Sequence, residues 1–398
     1  MYPLLPDLTI IEASSFVASP SAGLYMAQMG AQVIRVDQIG GGPDYRRWPL
    51  GPNGDSLYWE NLNRAKTSLA LDLKSAEGRE LLVELVRATG QFITNYPVDG
   101  FLSYAALAQA RTDLVTVRIM GQADGGSALD YTVNCAVGIP DMTGTGTNPI
   151  NHVLPAWDLL TGAYAAFAML AALRHRDATG AGQEVRIPLQ DVATASVANL
   201  GMIAEVLVGG HNRERLGNAV YGAFGRDFVT RDGRRLMIMA ITSKQWAGLV
   251  AALDMAGEVA QIETQLVLSF ADDEGLRFAH RDRLFPLVEG RVAQWDYPAL
   301  AIALDAHVCC YGPYQTMLEA AQDPKLVTHN PIFSRTSNPS GMAYPAAGAF
   351  ATIPQMPREA ARAAPAIGAH SEQILATHLG LSSAQIGALI DKGIVSQS

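Results

Sequence analysis

The first 200 residues carry two alternating hydrophobic patterns. Short apolar runs predict buried strands, and longer segments with apolar positions about 3.6 residues apart predict helices between them. The predicted strands are residues 8–12, 32–36, 68–73, 91–94, 114–119 and 184–189, and the predicted helices are residues 21–29, 76–88 and 159–173. Strands that alternate with helices favour an α/β fold built on a mostly parallel sheet.

The pattern changes near residue 221. Residues 227–230 and 235–241 flank the turn Asp232-Gly233, which predicts an antiparallel hairpin. Later predicted helices are residues 244–253, 283–291, 371–379 and 382–392. The predicted domains are a large domain in residues 1–200, a small α+β domain in residues 221–330, and residues 331–398 as a linker that returns to the large domain.

Composition narrows the classes of partner. The chain has 398 residues, 49% of them hydrophobic, and a net charge of −9, which argues against nucleic acid or an anionic membrane as a partner. The apolar run 159–173 is shorter than the roughly 20 residues of a membrane span, so we expect a buried helix there. An anionic small ligand would need a local basic cluster, and Arg35, Arg46, Arg47, Arg64 and Lys66 supply one.

Cysteine usage predicts a cytoplasmic protein. The chain has three cysteines, Cys135, Cys309 and Cys310, and their spacing fits neither a disulfide framework nor a zinc site. The start of the chain lacks a basic segment followed by an apolar one, so a secretory signal is not expected. We expect no bound metal.

The opening strand–helix–strand pattern raises the question of a dinucleotide-binding protein. Asp37 ends the second predicted strand, where an acidic residue grips the ribose in such proteins. The first strand–helix loop, residues 13–20, has no GxGxxG motif, and the run Gly40-Gly41-Gly42 follows the second strand instead. The sequence therefore argues against a dehydrogenase.

Asp158 stands just before the apolar helical segment and has two possible roles. Aspartate is a favoured helix N-cap, which would be a purely structural function. A partly desolvated carboxylate can also attack an acyl group, and amides at a helix N-terminus can stabilise the resulting oxyanion. His152, six residues earlier, is expected to be a packed histidine rather than a base.

Motifs spread over most of the chain resemble those of the family III (CaiB/BaiF-type) CoA-transferases. These motifs are residues 8–37 and 56–59, Lys66, the segment LALDLK at 69–74, Asn95-Tyr96, Asp158 with its helix, residues 179–183 and 215–218, Asp232-Gly233, and the tail segments 364–370 and 379–381. No single motif is decisive, but their order and spacing are specific to the family.

The resemblance implies a fold, an assembly and a site. The fold would be a Rossmann-like large domain formed by both chain ends plus a small central α+β domain, and two ring-shaped subunits would interlock as a homodimer. Asp158 would be the catalytic nucleophile, and coenzyme A would enter as part of the substrate, with no tightly bound cofactor. The residues that would line the CoA site are Val17, Arg35, Leu71, Asp72, Leu73, Lys74, Asn95 and Tyr96.

Some positions depart from the family pattern, and these departures limit which reactions of the family are expected. Racemases of the family carry a histidine in the segment that corresponds to residues 126–131, and this chain has none there. Basic residues found in many relatives are missing near Ser103 and Leu129, and a glycine-rich gating loop is missing at 221–226. The phosphate contacts and the shielding of the intermediate are therefore open.

The segments 130–134 and 151–158 resemble family members that move CoA between the two carboxyl groups of one mesaconate. We therefore expect intramolecular transfer through an aspartyl anhydride and an aspartyl-CoA thioester. The sequence leaves open an intermolecular CoA-transferase acting on free (di)acids, a racemase, and a non-catalytic CoA-binding protein.

Overall fold

The computed structural model describes residues 1–397. The strands are β1 (Thr9–Ala13), β2 (Gln32–Gln38), β3 (Thr67–Leu71), β4 (Gln91–Thr94), β5 (Val115–Met120), β6 (Gln183–Pro188), β7 (Phe224–Val229), β8 (Arg235–Ala240), β9 (Cys310–Pro313), β10 (Phe333–Ser337), β11 (Ala343–Ala347) and β12 (Val395–Ser396).

The helices alternate with the strands in the first half of the chain and dominate the second half. They are α1 (Ala18–Gln28), α2 (Leu57–Leu62), α3 (Ala76–Thr89), α4 (Tyr104–Ala108), α5 (Asp130–Ala136), α6 (Ile139–Met142), α7 (Ala156–Thr179), α8 (Leu189–Asn199), α9 (Met202–Gly209), α10 (Ser243–Ala252), α11 (Ala256–Leu266), α12 (Glu274–Ala279), α13 (Arg281–Val292), α14 (Tyr297–Ala306), α15 (Met317–Gln322), α16 (Ser371–Leu379) and α17 (Ser383–Asp391), with a π-helical turn at Pro324–Thr328.

The first compact unit contains residues 1–138, 151–210 and 324–398. Its seven-stranded sheet has the order β12-β3-β2-β1-β4-β5-β6, in which β12 pairs antiparallel with β3 and the other neighbours pair in parallel. The strand order therefore reverses between β1 and β4. A mixed α/β fold with a large parallel sheet is what the alternation of strands and helices predicted.

Helices cover both faces of this sheet. On one face, α3, α16 and α17 bury leucine and isoleucine side chains such as Leu85, Leu375 and Ile386. On the other face, α1 and α7 pack through small residues. A Cβ atom at Gly162 would lie 2.6 Å from the carbonyl oxygen of Ala18, so only glycine allows the two helices to approach this closely. This contact fixes the first turns of α7 against the start of α1.

The second compact unit contains residues 139–150 and 211–323. Strands β7, β8 and β9 form an antiparallel sheet in that order, with the predicted hairpin turn at Asp232-Gly233 between β7 and β8. Its core is rich in aromatic residues, including Phe224, Phe228 and Trp246. The unit starts earlier than the predicted small domain and includes a segment around α6 that the hydrophobic pattern did not separate from the large domain.

Helix α7 is longer and more exposed than its hydrophobic pattern predicted. It is long and apolar enough to cross a membrane by length and composition alone, as are α8 and α9 together across a 63° bend, but 44% of the apolar window of α7 is buried inside the fold. A core helix of a soluble protein passes the same test. The prediction of a buried helix is confirmed for the face toward α1 and β5; the opposite face carries exposed apolar side chains.

Candidate active site

A cavity of about 580 Å³ lies at the carboxyl ends of β1, β4 and β5. The loops after these three strands, residues 15–18, 95–99 and 119–129, form most of its wall, and Asp158 and Leu189 complete it. Open parallel sheets bind ligands where the strand order reverses, because the loops on either side of that point separate and leave a crevice. The position of this cavity thus follows from the order of the strands.

Asp158 is the third residue of α7 and not its N-cap. The N-cap is Pro155, whose backbone starts the helix without a side-chain hydrogen bond. The predicted capping role of Asp158 is therefore wrong, since the helix begins three residues earlier than a cap at this position would require. Within residues 1–397 no hydrogen bond or ion pair to the partly buried Asp158 carboxylate is observed, so its oxygens are available to a ligand in the cavity.

Asp130 supports the backbone of Asp158. Its buried carboxylate, 2% exposed, contacts the Nε2 atom of His152 at 2.5 Å through one oxygen and accepts the backbone N–H of Asp158 at 3.0 Å through the other. The N–H of Ala156 donates to the carbonyl of Leu154 at 2.7 Å. Two of the first three amides of α7 are therefore occupied, and the expectation that these helix donors would hold an oxyanion does not fit amides 156 and 158.

The pKa of Asp158 is raised from 3.8 to about 6, first by burial and then by the nearby Asp130 carboxylate, while Arg47 opposes the shift. The unfavourable effects exceed the stabilisation that a helix N-terminus gives to a carboxylate. At pH 7 roughly nine-tenths of such a group is still ionised. The site thus holds a carboxylate that is charged, poorly solvated and more basic than usual, which are the properties of a nucleophile.

A chain of side-chain hydrogen bonds holds the first turn of α7 in place. The Nε1 atom of Trp157 donates to Asn134 at 3.0 Å, and the amide of Asn134 donates to Asn151 at 2.6 Å. Tyr131 packs edge-on against His152, with ring centroids 5.8 Å apart. These contacts tie the start of α7 to α5, so Asp158 sits on a rigid support.

The loop after β1 is held in a strained conformation beside Asp158. Phe16 has a φ angle of +69°, which is unfavourable for a residue with a side chain. Its N–H donates to Asp44 at 2.9 Å, and Asn95 clamps Ser15 by accepting its N–H at 3.2 Å and donating to its carbonyl at 3.0 Å. In this conformation Phe16 is 39% exposed and lines the cavity.

The structure separates the predicted CoA residues into two groups. Val17, Asn95 and Tyr96 line the cavity together with Asp158, although the Asn95 amide is engaged in holding Ser15. The other residues predicted to contact CoA, which do not line it, are Arg35, Leu71, Asp72, Leu73 and Lys74.

The second group lies elsewhere along the sheet. Leu71 ends β3 and is fully buried, and Leu73 packs against the core, whereas Lys74 is exposed. Because β3 is parallel to β1, residues 71–74 leave the sheet at the same carboxyl edge, two strands away from the cavity. Arg35 is fully buried and has no surface to offer a ligand. Contact with CoA stays a prediction for all eight residues.

The predicted basic cluster is mostly internal. Arg35, Arg64 and Lys66 are at most 7% exposed, and Lys66 bonds to Glu12 with a pKa lowered by burial to about 8. Arg46 and Arg47 are exposed. The hydrophobic pattern did not separate the buried basic residues from the exposed ones. A charged residue in or near β2 and β3 can point either into the fold or toward solvent.

Sequence reasoning missed Asp130 and Phe16 as parts of the site. Asp130 was noticed only within a segment of family resemblance, although a carboxylate at the first position of a short helix is a recognisable helix-terminus pattern. Nothing in the sequence marked Phe16 as a cavity-lining residue, since its place in the wall depends on its backbone φ angle. Among residues 1–397, no group of three or more His, Cys, Asp or Glu side chains could hold a metal ion.

A mostly parallel α/β sheet with a cavity at the reversal of its strand order, and with a partly buried aspartate in that cavity, is typical of a ligand-binding enzyme. The chain belongs to CoA-transferase family III, which it matches over residues 5–371.

Two relatives and one solved structure are similar to the chain over most of its length. The chain is 44% identical over 401 residues to 2-methylfumaryl-CoA isomerase of Chloroflexus aurantiacus, covering 99% of this chain and 98% of that protein. It is 30% identical to succinate–glutarate CoA-transferase of Agrobacterium fabrum, covering 94% and 95%. The solved structure of a CaiB/BaiF family protein from Brucella suis superposes with a TM-score of 0.76 at 26% identity, over 94% of this chain and 99% of that chain.

Proposed function

We propose that this enzyme transfers CoA between the two carboxyl groups of one mesaconate molecule, which isomerises 2-methylfumaryl-CoA. The observation that carries the proposal is the Asp158 carboxylate, charged and without a hydrogen-bond partner among residues 1–397, in a cavity at the strand-order reversal. The high identity to an isomerase of this substrate, over nearly the whole of both chains, supports the choice of acyl group.

The reaction starts with two acyl transfers at Asp158. The carboxylate attacks the thioester carbonyl, the C–S bond breaks, and the products are a mixed anhydride and CoA thiolate. The thiolate then attacks the Asp158 carbonyl carbon and breaks the anhydride C–O bond, which gives an aspartyl-CoA thioester and free mesaconate. Covalent catalysis of this kind replaces one difficult displacement with two accessible ones.

The second half runs the same steps in reverse with the other end of the diacid. Its second carboxylate attacks the aspartyl thioester, expels the thiolate and forms a new anhydride with Asp158. Attack of the thiolate on the mesaconyl carbonyl then releases the isomeric thioester and the Asp158 carboxylate. The proton balance is zero over the cycle, so no general acid or base is required.

Retention of the diacid separates this reaction from ordinary CoA transfer to free acids. A retained acid reacts at a high effective molarity, whereas a released one must return from solution. Val17, Asn95 and Tyr96 would surround the acyl and thioester end of the substrate, and residues 71–74 at the same sheet edge would meet the adenine end.

A racemase is disfavoured by the cavity lining. Two-base racemisation needs a second group that exchanges a proton with the α carbon, and no histidine lines the cavity within residues 1–397. His152, which lies near Asp158 in sequence, is engaged with Asp130 at 2.5 Å. Exchange of an α proton in deuterated water would indicate racemisation instead.

A homodimer would cover the exposed face of α7. Tyr164 and Phe167 are 51% and 64% exposed, and they lie on one side of the helix between the half-exposed Leu160 and Leu170. An exposed apolar face of this kind favours an interface. Light scattering should give a dimer mass for the native chain and a smaller mass for Phe167→Glu; a monomeric native chain would contradict the proposed assembly.

The cysteines fit the proposed cytoplasmic location. Cys135, Cys309 and Cys310 are all free thiols in the structure. Reduced cysteines are the usual state in the cytoplasm.

Trapping during turnover tests the mechanism. Hydroxylamine added with mesaconyl-CoA should convert Asp158 to its hydroxamate, and borohydride should reduce the aspartyl-CoA thioester, each identified by peptide mass at residue 158. A non-catalytic CoA-binding protein would bind CoA without either modification. Unmodified Asp158 during rapid isomerisation would overturn the covalent mechanism.

A further inference from the structure

Arg47 is an exposed arginine held in place by aromatic rings. Its guanidinium carbon lies 5.5 Å from the centroid of the Phe16 ring and 5.5 Å from that of Tyr58. No Asp or Glu carboxylate within the described chain, residues 1–397, forms an ion pair with it. A guanidinium fixed between two rings loses little freedom on binding and keeps its N–H donors for a ligand.

This cation contacts a residue of the cavity wall. Phe16 lines the same cavity as Asp158, and the Arg47 guanidinium lies over the Phe16 ring. The charge of Arg47 also lowers the pKa of Asp158, in opposition to burial and Asp130.

The Tyr58 hydroxyl adds a neutral donor. It is buried and has no hydrogen-bond partner in residues 1–397, which is costly unless a ligand supplies one. Burial raises the pKa of the Tyr58 phenol, and the charges of Asp44 and Asp158 raise it further, so the group stays protonated and can donate. A fixed cation and an O–H donor without a partner among residues 1–397 thus lie together, and the cation contacts the Phe16 ring of the cavity wall.

We propose that Arg47 and Tyr58 form a receptor for the free carboxylate of a dicarboxylic acyl-CoA bound at Asp158. The proposal rests on the function proposed above and specifies its substrate class. A diacid joined to Asp158 at one end would bury a second carboxylate at the other, and an unpaired buried charge is strongly unfavourable. The same receptor accepts either end of the diacid, so it holds the acid before and after it turns.

The phosphates of CoA are the other source of negative charge for such a site. They are separated from the thioester by the whole pantetheine arm, whereas Arg47 lies over the ring of Phe16, which lines the same cavity as Asp158. This position near the acyl end of the substrate therefore favours the acyl carboxylate. The two sources predict different specificities, because a phosphate contact would serve every acyl-CoA equally.

The test compares acylation of Asp158 by succinyl-CoA and by butyryl-CoA, which share a four-carbon chain and differ in the terminal carboxylate. The readout is the rate of hydroxamate formation at residue 158 with each thioester. Charge-assisted hydrogen bonds support an expected loss of at least about 30-fold in the succinyl to butyryl rate ratio in Arg47→Gln. The butyryl rate itself should stay within about 3-fold.

Two matched variants sharpen this test. Arg46→Gln removes the same charge from the neighbouring exposed arginine, which lines a different cavity, and should leave the ratio unchanged. Tyr58→Phe keeps the ring under Arg47 and removes only the hydroxyl, so the ratio should fall about 10-fold. Tyr45→Phe, a change of the same kind at that different cavity, should leave the ratio unchanged.

Three outcomes would overturn the receptor. An equal fall with both thioesters in Arg47→Gln would show that Arg47 acts on every acyl-CoA alike, through the CoA phosphates or through the pKa of Asp158, and not on the acyl carboxylate. An unchanged ratio would show that Arg47 does not contact the acyl group, and an equal response to Arg46→Gln would reduce the effect to general charge. Failure of the native enzyme to isomerise mesaconyl-CoA would defeat the proposed function while leaving the ratio measurable, so the two claims fail separately.

Discussion

Two charged regions of the large sheet differ in whether their charged side chains form ion pairs. Along β1 and β2 and just before β3, the side chains of Glu12, Arg35, Asp37 and Lys66 are buried, at most 4% exposed, and neutralise one another through ion pairs of 2.8–3.1 Å. In the neighbouring cavity, Asp158 has no such partner among residues 1–397. Charge that the fold has paired supports structure, and charge left unpaired remains available for a substrate.

The two regions are mechanically connected. Asp44 lies 3.5 Å from Arg35 and accepts the N–H of Phe16 at 2.9 Å. The buried network thereby holds the strained loop that forms the cavity wall. Changes in the network should therefore affect folding first, and changes in the cavity should affect chemistry first.

The largest expected effect is on activity at Asp158. Asp158→Asn keeps the size of the side chain and removes the proposed nucleophile, so isomerisation should fall by at least about 10⁴-fold. Chromatographic separation of the two mesaconyl-CoA isomers measures the rate. Asp99→Asn alters another acid in the wall of the same cavity and should stay within about 3-fold of the native rate; comparable losses in both variants would argue against a special role for Asp158.

The next largest effect is on the free energy of unfolding and comes from a change in the buried network. Arg35→Met leaves Glu12, Asp37 and Asp44 without their shared cation, and breaking such a buried pair costs about 3–5 kcal/mol of unfolding free energy. Chemical denaturation measures the loss. Arg47→Gln is the exposed counterpart and loses only two cation–π contacts, so the unfolding free energy should fall by at most about 1–2 kcal/mol; similar losses for both variants would contradict the contrast between the two regions.

A smaller effect should appear in the stability of the nucleophile variant. Because the folded pKa of Asp158 is about 6 and the unfolded value is 3.8, its charge destabilises the fold as pH rises through this window. Asp158→Asn should therefore raise the unfolding free energy at pH 7 by about 1–3 kcal/mol, and the gain should vanish below about pH 4. Denaturation at both pH values checks the sign, which a loss of stability at pH 7 would contradict.

The smallest expected effect is on the acid side of the dependence of kcat/KM on pH. Activity should fall as pH drops through about 6, where Asp158 takes up a proton. Asp130→Asn removes the like charge that raises this pKa, so the limb in kcat/KM should move to lower pH by roughly half a unit to one unit. Asp124→Asn is the control, as a second acid in the cavity wall; an unmoved limb in Asp130→Asn would remove the coupling.

The hydrophobic pattern predicted much of the large sheet. Strand β4 occupies the predicted residues 91–94, and β1, β2, β3, β5 and β6 lie within two residues of their predicted bounds. Apolar runs are sufficient signals for β1 to β5 because these strands are mostly buried on both faces, whereas the edge strand β6 is only partly buried. The same pattern placed the hairpin of β7 and β8, where the Asp-Gly turn fixes the connection.

The site was only partly predictable. Asp158 was identified, but its position as the third residue of α7 depends on how Pro155 starts the helix. Arg35 was predicted to line the CoA site, and the structure instead buries it among acids. A sequence gives the charge of a residue but not the direction of its side chain, and this direction separates Arg35 from Arg47.

The most direct test of intramolecular transfer uses native enzyme, one isomer of mesaconyl-CoA and isotopically labelled free mesaconate. The products are separated by chromatography and their label is measured. The mechanism at Asp158 with a retained diacid predicts that the other isomer forms without label. Label in the product would show exchange with free acid and contradict the central claim, and formation of neither product would exclude mesaconyl-CoA as the substrate.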